Sequence, residues 1–199
     1  MNRAAVNLLP AVRALQAGEV VAVPTDTVYG LAVDPSRAGA TGRLFAVKGR
    51  PADMALPVLV ADIAQAERLW ELAVASTPRL LAERFWPGPL TLVVARAPGI
   101  EWDLGGDVST IGLRCPDHEL VRELCRLVGP LATTSANRHG EPPLRTATAV
   151  TDCFGAALPV IDGGECDGEP STVVDATTGP LRCLRAGAIA WEAVLEAVR

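Results

Sequence analysis

Lysine is nearly absent from this chain. Of 18 basic residues in 199, Lys48 is the one lysine and the other seventeen are arginine. Arginine replaces lysine in a solvated ion pair but not as a compact phosphate-binding ammonium, so the surviving lysine is a candidate for chemistry. Histidine is also scarce: only His118 and His139 occur, and neither sits in a metal-ligand spacing. Aromatic residues make up 4% of the chain, too few for a nucleic-acid surface built on base stacking. The five cysteines (Cys115, Cys125, Cys153, Cys166 and Cys183) are odd in number and never spaced as CxxC, which disfavours a disulfide framework or a zinc knuckle. Cys125 and Cys153 lie in apolar, helix-like contexts and read as buried free thiols. No apolar run approaches the roughly 18 residues of a membrane span. The segment from Met1 to Ala5 lacks a signal-like apolar region before Pro10, so the chain reads as cytoplasmic and reduced. Equally missing are the P-loop GxxxxGK[ST], the dinucleotide GxGxxG and the GxSxG nucleophile elbow.

What is present suits one domain, 1–199. Apolar residues form 49% and charged residues 21% of the chain, with 18 Gly and 16 Pro to punctuate it. A domain of this length buries roughly 70% of its unfolded surface and needs no staple. The net charge of −5 argues against a broad nucleic-acid footprint while leaving room for a local basic pocket. Helices are expected at Pro10–Ala17, from a Ser36 cap to Val47, from an Asp62 cap through Leu72, and at Ser76–Arg84, Asp117–Leu127, Arg145–Phe154 and Ala188–Val198. Strands are expected at Val20–Val23, Pro57–Val60, Leu90–Ala95, Thr110–Leu113, Leu131–Thr133, Leu158–Ile161, Thr172–Asp175 and Leu181–Leu184. Thr25 to Leu31 reads as a loop crossing a pocket, and Pro98–Asp107 as another loop. Strands alternating with helices predict an α/β domain with a mixed sheet.

Polar groups gather at the ends of these expected strands. Lys48 and Arg50, two positions apart after a helix, suit adjacent phosphate oxygens, although a solvated basic turn also accounts for an isolated pair. Ser135 and Asn137, with Thr133 and Thr134, follow a buried strand, a common ligand position in α/β sheets; local turn capping is the plainer alternative. Arg114 ends a strand and suits a carboxylate or phosphate, or is an ordinary surface arginine. Ser171 lies in a tight turn entering a strand, and Arg185 precedes the last helix. Residue chemistry alone therefore reaches an α/β domain that binds a small anionic ligand, and goes no further.

The order of motifs carries more. Val23-Pro24-Thr25-Asp26-Thr27-Val28-Tyr29-Gly30-Leu31, Lys48-Gly49-Arg50-Pro51, Phe85-Trp86-Pro87-Gly88-Pro89-Leu90-Thr91 and Ser109-Thr110-Ile111-Gly112-Leu113-Arg114 come first. Thr134-Ser135-Ala136-Asn137, Ser171-Thr172-Val173-Val174-Asp175 and Leu184-Arg185-Ala186-Gly187-Ala188-Ile189 follow. In this order they resemble the YrdC/TsaC family, the threonylcarbamoyl-AMP synthases, over about residues 10–190. The family hallmark Lys-x-Arg plus Ser-x-Asn is met by Lys48/Arg50 and Ser135/Asn137.

The resemblance implies a twisted mixed β-sheet flanked by helices around a concave basic cavity, a YrdC-like fold related to the RibB fold, in the short form without an appended domain. It implies ATP, L-threonine and bicarbonate as substrates, Mg²⁺ with the ATP, and transfer of the product to a tRNA-modifying threonylcarbamoyl transferase. By the same analogy Lys48, Arg50, Thr110, Thr133, Ser135, Asn137 and Arg185 surround ATP, while Thr27, Arg114, Thr133 and Ser171 surround threonine. No acid/base residue is implied; Lys48 and Arg50 act by positioning, and no dedicated protein ligands hold the metal. Relatives commonly carry a polar residue at Met54, a proline at Ala55 and a histidine at Leu59, so these departures bear on the phosphate and threonine sides of the pocket. Two other readings stay open: an RNA-binding or ribosome-maturation protein using the same concavity, and a carbamoyl-adenylate enzyme acting on another amine.

Overall fold

The computed structural model describes residues 6–49, 51, 54–71, 76–138 and 140–199. Arg50 and His139 lie outside the described residues. Eight strands form one sheet: β1 (Val21–Val23), β2 (Gly30–Val33), β3 (Val58–Leu59), β4 (Leu90–Ala95), β5 (Thr110–Arg114), β6 (Leu131–Ser135), β7 (Thr172–Asp175) and β8 (Arg182–Arg185). Their order across the sheet is β1-β2-β6-β3-β5-β4-β7-β8. The β3/β5 and β4/β7 pairs are parallel and the others antiparallel, so the sheet is mixed as expected.

Alternation along the strands sorts side chains between two faces. On one face Ala22, Leu31, Val33, Val58, Ala132, Leu92, Leu113 and Val174 join the larger core with Leu44, Trp70 and Leu81. Leu44 comes from α2 (Ala40–Lys48) and Leu81 from α4 (Ser76–Phe85). On the other face Val21, Val23, Ala32, Leu59 and Leu131 meet Ala11, Ala14, Leu15, Val121, Leu124 and Cys125. Those six come from α1 (Leu9–Gln16) and α5 (Glu119–Val128). The two helices cover only one end of that second face. Its remainder, bearing Thr133, Ser135, Thr91, Thr110, Gly112 and Arg114, lines a cavity.

Several boundaries differ from the sequence reading, each for a local reason. Gly30 and Leu31 belong to a strand rather than a loop, because β2 is enclosed between β1 and β6 and its backbone groups pair on both sides. The helix expected from Ser36 starts after Gly39 instead; the Ser36 hydroxyl donates to Asp34 Oδ1 (2.6 Å) and is spent in a turn. Asp62 caps as expected, accepting from Gln65 N, but α3 (Ile63–Ala66) is a single turn and Trp70 bridges to Arg96. Val160 makes only an isolated bridge to Ala22, and Cys153 on α6 (Ala147–Phe154) is half-buried rather than buried. The last helix, α7, shrinks to Trp191–Glu196.

Candidate functional site

The cavity on the open face has a volume of about 440 Å³, within the range of small-molecule sites. Its polar groups stand in two rows set by strand register. Leu59 pairs with Arg114, and the β4/β5 ladder continues from Leu92/Leu113 to place Thr91 opposite Arg114; Thr91 pairs with Val173, and Val173 with Arg185. Ser135 and Thr110 each lie three residues from the partners of Val58, on the same side, and so share a second level. At about 3.3 Å per residue the two rows are roughly 13 Å apart.

Arg114 anchors the first row. Burial lowers its pKa, and neighbouring Asp26 opposes that shift. Its guanidinium is held on three sides: Nε donates to Gly88 O (3.1 Å), Nη1 to Thr27 Oγ1 (3.1 Å) and Nη2 to Asp26 Oδ1 (2.6 Å). Two of its five N–H groups remain, one on each terminal nitrogen, which is what a bidentate carboxylate requires. The second Asp26 oxygen, Oδ2, is buried without a hydrogen-bond partner.

Local structure explains how Thr27 and Asp26 reach Arg114. Thr25 Oγ1 accepts from the N–H groups of Thr27 and Val28 and donates to Val28 O (2.6 Å), closing the turn between β1 and β2 over the open face. Tyr29 then fixes a second loop to this turn: its hydroxyl donates to Gly164 O (2.8 Å) and accepts from Gly163 N. Burial raises the Tyr29 pKa, so the phenol stays neutral in this structural role. Two glycines permit the resulting close approach. A Cβ on Gly168 would stand 2.1 Å from Asp26 O, and one on Gly187 2.2 Å from Pro170 O. Gly88 belongs to the Trp86–Pro89 turn, which has a cis Trp86–Pro87 peptide and is tied down by Trp86 Nε1 donating to Leu90 O.

Ser171 and Arg185 close the same row. Arg185 donates through Nε and Nη2 to Ser171 O and through Nη2 to Ser171 Oγ (2.9 Å), and Ser171 Oγ also shares a hydrogen bond with Thr91 Oγ1 (2.9 Å). Burial lowers the Arg185 pKa. Between the rows, the Thr133 hydroxyl donates to Leu31 O and leaves its lone pairs available.

Lys48 meets the second row from behind. Its ammonium donates to Ser135 O (2.6 Å), Ser135 Oγ (3.1 Å) and Asn137 Oδ1 (2.7 Å), while Asn137 Nδ2 donates to Arg138 O and Glu141 O. Lys48 is 3% exposed and Asn137 6%. Ser135 lines the cavity, whereas Lys48 and Asn137 stand behind it. The two hallmark pairs are thus joined through Lys48, with all three ammonium hydrogens directed at protein acceptors. Thr110 is also in the lining, its hydroxyl making one long bond of 3.4 Å to Asp107 O.

The expected residues Thr27, Thr110, Arg114, Thr133, Ser135, Ser171 and Arg185 all border one cavity. Asp26, Thr91 and Arg96 received no role from the sequence. Asp26 stands beside Thr27 in the first motif and Thr91 ends the third, so the signal was present; Arg96 carried none beyond its place after a strand. Of the departures, Ala55 and Leu59 line the cavity, Leu59 directly beside Arg114, while Met54 is 41% exposed.

Known proteins resemble this chain in sequence and in fold. A family profile described as "Telomere recombination" (Sua5/YciO/YrdC) matches residues 13–187. A Mycobacterium tuberculosis protein is 41% identical over 194 residues, covering 95% of this chain and 88% of its own. The threonylcarbamoyl-AMP synthase of Pseudomonas putida is 39% identical over 175 residues, 85% of this chain and 92% of that one. The crystal structure of Pyrococcus abyssi Sua5 complexed with L-threonine superposes with a TM-score of 0.89 at 37% identity, over 95% of this chain; this chain spans 56% of that longer protein. With a family profile matched over residues 13–187 and a relative 41% identical over 95% of its length, the chain belongs to the Sua5/YciO/YrdC family.

Proposed function

We propose that this chain catalyses ATP-dependent synthesis of L-threonylcarbamoyladenylate from L-threonine and bicarbonate, releasing pyrophosphate, for threonylcarbamoyladenosine formation in tRNA. The observation that carries this reading is Arg114, buried in the cavity with two donors left over and held by Asp26, Thr27 and Gly88. An amino acid's carboxylate satisfies both donors, and Thr27, Thr133 and Ser171 flank it. The nucleotide then extends toward the level of Ser135 and Thr110, with Arg185 near its α-phosphate.

The chemistry needs no protein nucleophile. The unprotonated threonine nitrogen attacks the bicarbonate carbon, and loss of water leaves a carbamate. A carbamate oxygen then attacks the α-phosphorus, and the bond to the β-phosphate bridging oxygen breaks with its electrons on pyrophosphate. Charge stabilisation and alignment supply the rate, with alignment contributing on the order of 7 kcal/mol. Lys48 contributes by fixing Ser135 and Asn137; Arg50, the other member of the hallmark pair, is assigned to the nucleotide on the sequence alone. Among the described residues no group of three or more His, Cys, Asp or Glu could hold a metal ion. Magnesium enters as part of the nucleotide substrate, with phosphate oxygens as its ligands. No helix among the described residues is long and apolar enough to cross a membrane. The product is a reactive mixed anhydride that calls for prompt consumption, and transfer to a tRNA threonylcarbamoyl transferase is part of the same proposal.

Purified protein given ATP, threonine, bicarbonate and magnesium is expected to release threonine-dependent pyrophosphate and form the adenylate. Arg114→Lys keeps the charge and loses the fork, so KM for threonine should rise about tenfold to a hundredfold with a smaller change for ATP. Absence of product from folded protein, or salt-sensitive RNA binding that survives saturation with ATP and threonine, would overturn the reading in favour of an RNA-binding function.

A further inference from the structure

Arg96 is a cation in the cavity wall that the proposed reaction has not yet used. It follows Ala95, the last residue of β4, which pairs with Thr110; Arg96 therefore stands at the Ser135/Thr110 end of the cavity. Ser135 on β6 and Arg96 beside β4 are separated by three strand spacings, about 14 Å. The guanidinium is preset by two backbone carbonyls: Nε donates to Thr110 O (3.1 Å) and Nη1 to Trp102 O (2.9 Å), while Nη2 has no protein partner. Burial lowers the Arg96 pKa, and although Asp107 and Asp103 oppose that shift, neither forms an ion pair with it. Arg114, by contrast, is neutralised by Asp26.

A partly desolvated cation aimed by carbonyls, with Asp103 and Asp107 near it but outside ion-pair distance, keeps a terminal nitrogen for an anion supplied from outside. The amino-acid carboxylate belongs to Arg114, about 13 Å away along β5. The remaining anion is the phosphate tail of the nucleotide. We propose that Arg96 binds the terminal phosphates of ATP and hence the departing pyrophosphate, opposite Ser135 across the cavity. The assignment rests on the nucleotide reading of the site and adds the residue that receives the leaving group.

Calorimetric titration of the full chain with pyrophosphate, ATP and AMP tests it. Arg96→Ala should weaken pyrophosphate and ATP by about tenfold or more, the scale of a charge-assisted hydrogen bond, and leave AMP within about twofold. In turnover, the inhibition constant for pyrophosphate should rise by the same factor with KM for threonine unchanged, and Arg96→Lys should recover part of the loss. Should alanine lower the melting temperature by freeing Thr110 O and Trp102 O, Arg96→Gln retains a donor without charge and must show the same contrast. Equal losses for AMP and pyrophosphate, or unchanged pyrophosphate affinity, overturn the proposal. An active wild type with unaffected Arg96 variants refutes this role alone, whereas a wild type that makes no adenylate refutes the function.

Discussion

Replacing Lys48 by methionine separates holding the site together from using it. The substitution keeps an unbranched chain of similar length and removes a buried ammonium with acceptor contacts at 2.6, 2.7 and 3.1 Å. The Ser135 carbonyl retains a bond from Asn137 N, and the Ser135 hydroxyl can rotate, but Asn137 Oδ1 is deprived of its cationic donor. Losing two short charge-assisted bonds costs about 3 kcal/mol. For a domain of this length that lowers the melting temperature by about 6–12 °C. Assayed well below that temperature, where the variant is folded, kcat/KM for ATP should still fall about a hundredfold, because Ser135, the cavity-lining member of the cage, loses its alignment toward the phosphates. Lys48→Arg should not rescue, since a planar fork does not fit a cage built for a point donor. A melting shift below 2 °C would refute the cage as a stabilising unit. The expected shift with unchanged kcat/KM would refute its link to the nucleotide.

Two further outcomes follow from the same geometry. Gly168→Ala sets a Cβ 2.1 Å from Asp26 O, and neither backbone can yield without moving Thr27; stability should fall by about 1–3 kcal/mol, with KM for threonine raised more than KM for ATP, by denaturant titration and steady-state kinetics. Burial pushes the Cys115 thiol from 9.0 up to about 11, so its contribution to stability is complete below pH 9 and is lost as pH rises toward 11. Melting temperature against pH should therefore drop over that interval, and Cys115→Ala should flatten the drop; an unchanged slope would show that this thiol does not drive it.

The sequence was informative wherever chemistry is local. Proline and glycine punctuation placed α1, β4 and β5 within a residue or so, Asp62 was recognisable as a cap, and the apolar run Leu90–Ala95 was recognisable as a strand. The resemblance carried by the ordered motifs named Thr27, Thr110, Arg114, Thr133, Ser135, Ser171 and Arg185, which border the cavity, together with Lys48 and Asn137, which stand behind it. Failures came where distant partners decide the outcome: Gly30 and Leu31 are a strand only because β1 and β6 enclose them, and Ser36 yields to Asp34. Tertiary structure alone set Lys48 behind the wall rather than in it, recruited Asp26 to Arg114 across 88 residues, and aimed Arg96 by two backbone carbonyls. The physical reason is that residue type limits which bonds a side chain can make, while strand register decides which of those partners come within 3 Å.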